Sequence, residues 1–337
     1  IPDGDDSMIG RCLLLCIAVT ALLLSAAAAS TTEPNTVATF SIVARDSTTG
    51  ELGVAVASRF FAVGSVVPWA KAAVGAVATQ AYANTTFGPH GLEMLQQGAT
   101  PVKVCDQLVA SDSGSSRRQF GIVAADGQSI TYTGDSCSAW AGGRSGPNYA
   151  IQGNILAGEQ VVVAMEKAFL ETDGTLADRL YAALVAGEAN GGDSRGKQSA
   201  ALLVVKEGAG YGGYTDRAID IRVDDHPEPF VELGRLLNIA QMNYSWNEAW
   251  TLFTQKQYAE ALPHMERTAR LSPEYPEVLY DLAVIRLANG NKEGALDALA
   301  TAVRLNPKLA ASARVDNDLA ALRGDEKFEK LTAGSPK

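Results

Sequence analysis

The chain has 337 residues, 47% hydrophobic and 20% charged, with 32 glycines: a globular composition, too long for one ordinary domain and unlike a disordered chain. Its formal net charge of −10, without any basic run, excludes a nucleic-acid surface, which needs clustered Lys and Arg. No nucleic-acid partner is therefore expected, and a small or peptide-like substrate suits an acidic protein better.

From Met8 the chain reads MIGRCLLLCIAVTALLLSAAAAS, with Arg11 as a positive flank and an apolar core from Cys12 to Leu24. Small residues from Ala26 to Ser30 then offer cleavage positions. The apolar stretch is short for a spanning helix, which needs about 20 residues. Residues 1–38 are thus expected to be a cleaved signal peptide with a short leader, and the protein to be secreted or periplasmic in a bacterium. Leu15 precedes Cys16 where a lipoprotein signal needs a small residue, which argues against lipidation. Cys105 and Cys137 remain, and they read either as a disulfide or as two separate thiols.

TFSIVARD (39–46) and ELGVAVAS (51–58) alternate around a turn and predict a β-hairpin, and AAVGAVATQA (72–81) a third strand. Apolar spacing predicts helices over 88–98 and 101–110, separated by a Gly-Ala-Thr-Pro stop and restart. QFGIVAADG and QSITYTG (119–134) form a second hairpin, and YAIQGN (149–154) a strand after a Gly-rich loop. Helices are expected over 159–171 and 176–188, strands over 199–205 and 218–224, and a helix over 226–240 with prolines in its first turn. Strand runs alternating with helix pairs suit stacked sheets with helices on both outer faces.

From about residue 241 the pattern becomes helical and repeats. Residues 34 apart pair as Ala261 with Ala295, Leu262 with Leu296, Leu271 with Leu305 and Pro273 with Pro307. That period and the small Ala and terminal Pro positions resemble tetratricopeptide repeats over roughly 241–310. The tail RVDNDLAALRGDEKFEKL is expected to be a capping helix. The expected organisation is a leader (1–38), a first domain (39–240) and a helical repeat domain (241–337), whose concave surface would take a protein partner.

The first domain resembles the domain-of-unknown-function family numbered 1028, which is placed among the N-terminal-nucleophile hydrolase folds. TFSIVARD, GVAVASRFFAVGSVVPWAKAAVGAVATQA, YAIQGNILAG, GEANGGDSRGKQSAALLVV and YGGYTDRAIDIRVDDHPEPF carry the likeness. It implies an α+β chain with a four-layer αββα sandwich. In such enzymes processing exposes a Thr, Ser or Cys whose own α-amino group, with a pKa of about 8, serves as base. No His is needed, which fits a chain containing only His90, His226 and His264.

Thr39 is the candidate nucleophile: it opens the first strand, and the small residues at Thr36 and Ala38 suit cleavage just before it. The plain alternative is a Thr acting as a β-former. Ser58 and Arg59 match the end of the proteasome-type second strand, whereas the Asp expected there is Ala57, which argues against a proteasome-like protease. Lys71 takes the position of the superfamily's catalytic Lys, or else is a solvated strand-start residue. Candidate substrate-binding groups are the amides of Gln80, Asn84, Gln152 and Asn154, and Asp193, Arg195, Gln198 and Ser199 on the Gly-rich loop. Each of these also suits turn or cap chemistry. No cofactor or metal motif is evident. The sequence leads to an exported amidohydrolase acting on a small amide or peptide, with a non-catalytic binding or scaffold protein as the alternative. The fold class allows a homo-oligomer.

Overall fold

The computed structural model describes residues 39–333; the expected signal peptide, Cys12, Cys16 and the cleavage position after Ala38 lie outside them. In chain order come β1 (Thr39–Arg45), β2 (Leu52–Ser58), β3 (Pro68–Lys71) and β4 (Gly75–Ala81), then α1 (Phe87–Gln96) and α2 (Pro101–Ser111). β5 (Arg118–Ala124), β6 (Ser129–Thr133), β7 (Gly142–Gly146) and β8 (Tyr149–Asn154) follow, then α3 (Gln160–Glu171) and α4 (Leu176–Ala189). β9 (Ser199–Val205) and β10 (Arg217–Val223) complete two antiparallel sheets, ordered β10-β9-β2-β1-β8-β7 and β3-β4-β5-β6.

Two expectations change. The third strand, expected over 72–81, begins later, at Gly75, and a short strand precedes it in a hairpin: β3 ends at Lys71 and the chain turns through Ala73 at φ 57°. The Gly-rich stretch 142–146 is a strand, paired with β8 at the edge of its sheet, where glycine is tolerated.

Strand alternation sorts the core. On β1, Phe40, Ile42 and Ala44 face Met165, Phe169, Leu180 and Leu184 of α3 and α4. Val43, Val54 and Val56 turn the other way and meet Ala76, Ala78 and Val123 of the second sheet. The far face of that sheet sets Val77, Phe120 and Ile122 against Phe87, Leu92, Val104 and Leu108 on and around α1 and α2. Each large side chain so buried contributes about 1.5–3 kcal/mol. α4 approaches β2 closely because residue 53 is glycine: a Cβ there would lie 2.7 Å from Leu180 Cδ1 and 3.0 Å from the Leu203 carbonyl oxygen. Thr175 and Asp178 form a capping box at the start of α4, and Thr100 with Pro101 starts α2.

The helix expected to end at residue 240 continues as α5 (Pro229–Thr254), straight through the expected boundary. Phe230 at its start stacks on Phe40 at 6.2 Å, and Tyr181 of α4 donates to the Phe230 carbonyl. α6 (Tyr258–Leu271), α7 (Pro276–Ala288) and α8 (Lys292–Leu305) then pack around Met265, Leu282, Ile285 and Leu299. The residues paired by the 34-residue period hold equivalent places in α6 and α8: Ala261 and Ala295 are both fully buried. The capping helix expected over 314–331 is α-helical chiefly at its end, in α10 (Glu326–Thr332), with Phe328 buried in the repeat core; a short α9 (Leu309–Val315) precedes it. No described helix is long and apolar enough to cross a membrane.

Candidate active site between the two sheets

The polar positions of the central strands converge at one end of the space between the sheets. Thr39 is paired across the ladder with Ser58 of β2 and Asn154 of β8. By strand parity Thr39 and Ser41 face away from Phe40 and Ile42, toward the second sheet. Thr39 Oγ1 donates to Ser58 Oγ at 3.3 Å. Opposite, Gln80 of β4 and Gln119 of β5 are cross-strand partners. Gln80 Nε2 donates to the Thr39 carbonyl at 3.2 Å and to Gln119 Oε1 at 2.9 Å, and Gln80 Oε1 accepts from Ser41 Oγ at 2.6 Å.

Gln152 and Asn154 complete the cluster from β8. Gln152 Nε2 donates to Ser41 Oγ at 2.6 Å, and its Oε1 accepts from Thr131 at 3.2 Å. This amide lies flat on β5 because residue 121 is glycine, where a Cβ would stand 2.1 Å from Gln152 Oε1. Asn154 Nδ2 donates to Gln119 Oε1 at 2.9 Å, while Asn154 Oδ1 is buried and has no hydrogen-bond partner among the described residues. Thr39, Ser41, Ser58, Gln80, Gln119, Gln152 and Asn154 are all essentially buried. Such groups are nearly always satisfied, so the one orphan acceptor beside Thr39 calls for an explanation.

The backbone is strained on both sides of the cluster. Ala81, next to Gln80, has φ 66°, and the β-branched Ile155, next to Asn154, has φ 52°. Left-handed residues of this kind cost about 1–3 kcal/mol each and gather at functional sites. Ile155 is held there by its N–H to Ser138 and its carbonyl to the Ser194 N–H, both at 3.0 Å.

The 193–196 loop forms the rim beside Ser58. The buried Asp193 carboxylate accepts the Arg59 N–H at 2.8 Å, the Arg195 N–H at 2.9 Å and the Arg195 guanidinium at 2.9 Å. Arg195 is thereby held by Asp193, while the Arg59 side chain is exposed and, among the described residues, reaches the Arg195 carbonyl at 3.4 Å. Burial raises the carboxyl pKa of neighbouring Glu188 above its ordinary value.

Four expected site residues are not part of this cluster. Lys71 is exposed at the far end of the second sheet, donating to Gln96 at 2.7 Å. Its ladder partner Gly75 stands five residues before Gln80, about 17 Å at 3.3–3.4 Å per residue. Lys71 therefore cannot lower the pKa of Thr39. Asn84 accepts from Thr86 and donates to Asp112, an arrangement on the helix-bearing side. Gln198 turns outward to Asp225 at 3.1 Å. Ser199 pins the 60–63 turn, donating to the Phe60 carbonyl and accepting the Val63 N–H. Ala57 faces the helix layer with Phe40, so an Asp there would point away from the amide cluster.

Ser41, Gln119 and Thr131 were not singled out from the sequence. Ser41 shares the strand parity of Thr39, and Gln119 is a polar residue just before the apolar run of β5 (Phe120 to Ala124); both were readable signals. Cys105 and Cys137 are free thiols; burial pushes Cys105 up to about 11 and also raises Cys137. Among the described residues, no three His, Cys, Asp or Glu side chains come together as a metal site.

The sequence profile of the family of unknown function DUF1028 matches residues 39–233, more than half of the chain. A tetratricopeptide-repeat profile matches residues 252–321. Among solved structures, the crystal structure of protein SPO2555 from Silicibacter pomeroyi, described as DUF1028, is similar with a TM-score of 0.55 and 31% identity. The match covers 60% of this chain and 89% of that one. No curated protein matches the sequence.

Proposed function

Because the chain belongs to the DUF1028 family, whose membership fixes no activity, we propose its chemistry from the buried amide cluster: an amidohydrolase of the N-terminal-nucleophile type, with the αββα layering of that class and Thr39 as nucleophile. One observation carries this reading. The first residue of β1 turns its hydroxyl into a cluster where its ladder partner Asn154 keeps an unpaired, buried Oδ1.

An amine released at Thr39 by cleavage of the preceding peptide bond has a pKa of about 8 and more N–H donors than the peptide it replaces. The orphan Asn154 Oδ1 suits such an added donor. The amine takes the proton from Oγ1 as Oγ1 attacks the substrate carbonyl, then returns it to the leaving amine; water hydrolyses the resulting acyl-threonine ester. Asn154 Nδ2 uses one of its two hydrogens on Gln119, leaving the other as a candidate donor to the oxyanion. Neither a Lys nor a His takes part. Arg59, exposed at the rim, is the cation placed to hold an anionic group of a small amide or peptide substrate.

Export through the Met8 segment belongs to the same proposal, since it would deliver the cut before Thr39. The tetratricopeptide repeats suggest a protein–protein interaction alongside this chemistry. Protein beginning at Thr39 should hydrolyse members of an amide and dipeptide panel and trap an acyl adduct visible by intact mass. Thr39→Ala should lose about 10³-fold or more in rate, as expected for a nucleophile, and Thr39→Ser should retain part of it. Equal rates for Thr39→Ala and the parent would reduce the cluster to a structural polar core and leave a binding module.

A further inference from the structure

A second polar cavity lies at the opposite end of the six-stranded sheet, where α5 and α6 meet the β1–β2 turn, and its volume is 470 Å³. From Thr39 to Arg45 along β1 is about 20 Å at 3.3–3.4 Å per residue, so this cavity is separate from the Thr39 cluster. Its lining mixes both signs of charge. Glu51 comes from the β1–β2 turn, Lys206 from the end of β9, Tyr244 and Glu248 from α5, and His264 and Arg267 from α6. Leu176, Val204 and Ile219 supply an apolar wall. A cavity of this size with few polar groups on an apolar wall is of the kind that holds small ligands.

The charges are not balanced among themselves. Asp46 is engaged by its own turn and by Arg179, Asp178 by Thr175 and Gln241, and Glu248 by His264 at 3.3 Å. Glu51 is 8% exposed, and among the described residues it forms no ion pair. Only the Thr49 hydroxyl and the field of Lys206 oppose its desolvation, and its pKa is raised by burial. Lys206 forms no ion pair among the described residues, and Arg267 reaches only the neutral Gln241 amide at 3.4 Å. Both cations are half-buried. A buried carboxylate without an ion pair, lining one cavity with cations that also lack one, costs stability unless a ligand supplies the missing partners.

We propose that this cavity binds a small zwitterion of the α-amino-acid class, its ammonium held by Glu51 and its carboxylate by Arg267 and Lys206. Tyr244, within electrostatic reach of Glu51, Glu248 and Arg267, also lines the cavity. The inference does not depend on Thr39 being a nucleophile. No groups other than ligand carboxylate, ligand ammonium and these side chains are needed, and no covalent step is involved.

The test is calorimetry and thermal shift on the full chain, with free L-amino acids and dipeptides at millimolar concentration beside their N-acetyl and C-amide derivatives. Free zwitterions should bind and raise the melting temperature, and each single-charge derivative should bind about tenfold or more weakly. Glu51→Gln and Arg267→Gln should each weaken binding by a similar factor. Lys206→Met gives a third variant at a half-buried position should either of those fail to fold. Thr39→Ala should bind as the parent does, which separates this site from the proposed active site. Absence of binding by every zwitterion, equal binding of the capped derivatives, or undiminished binding in the folded variants would each overturn the proposal.

Discussion

The amide cluster depends on the glycine at position 121, and Gly121→Ala tests this directly. An added Cβ would lie 2.1 Å from Gln152 Oε1, 2.7 Å from its Cδ and 2.9 Å from its Nε2, so the three nearest atoms all belong to one side chain. Gln152 cannot yield without giving up its bonds to Ser41 Oγ at 2.6 Å and Thr131 at 3.2 Å. Two buried hydrogen bonds at about 0.5–1.5 kcal/mol each, plus overpacking strain, give an expected loss of about 2–4 kcal/mol. Urea unfolding should show a midpoint lowered by on the order of 1 M at unchanged slope. In a Gln152→Ala background the clash disappears. There, Gly121→Ala should be neutral or stabilising by about 0.4–1 kcal/mol, because alanine restricts the unfolded chain more than glycine does. A loss of the same size in both backgrounds would refute the claim that Gly121 exists to seat Gln152.

Other consequences can be measured independently. The Arg118 guanidinium, with the Gly114 N–H and the Asn84 amide, holds the Asp112 carboxyl at about 2, below its ordinary 3.8. Its contribution to stability is therefore complete above about pH 4 and lost as the pH falls toward about 2. Asp112→Asn should be less stable than the parent at neutral pH, with the two melting curves converging below about pH 2. In the repeat region Asp281 Oδ2 accepts the indole N–H groups of both Trp246 and Trp250 at 2.7 Å. Asp281→Leu should destabilise by about 3 kcal/mol or more in chemical unfolding, and Asp281→Asn, which keeps an acceptor, by less.

Much of the scaffold was legible because its elements carry strong local signals. TFSIVAR and LGVAVAS become β1 and β2 with nearly the expected ends, and the helix expected over 176–188 is α4 (Leu176–Ala189). The 34-residue period located α6 and α8 because paired helices must repeat their small contacts, as Ala261 and Ala295 do. Boundaries that depend on tertiary context were not legible. α5 runs through residue 240 because its first turns pack on Phe40 and α4 while its last turns enter the repeat core. The hairpin turn at Ala73 has no glycine or Asn-Gly signature, so β3 was not expected and the start of β4 was set three residues early. Of the site, Thr39, Ser58, Gln80, Gln152 and Asn154 come together as their strand-end positions implied. Asn84, Gln198 and Ser199 do not: Asn84 bonds within its own turn to Thr86, Gln198 turns outward to Asp225, and Ser199 is spent on the backbone of the 60–63 turn. The Glu51 cavity has no sequence signature at all, since it is assembled from the β1–β2 turn, β9, α5 and α6.

The central claim, that Thr39 acts through its own α-amino group, is tested most directly by N-terminal sequencing and intact mass of the protein exported by a host that processes it. The account predicts a mature chain beginning at Thr39. A stable mature chain that retains residues before Thr39 would contradict it, because the amine that must serve as base would then be tied up in a peptide bond.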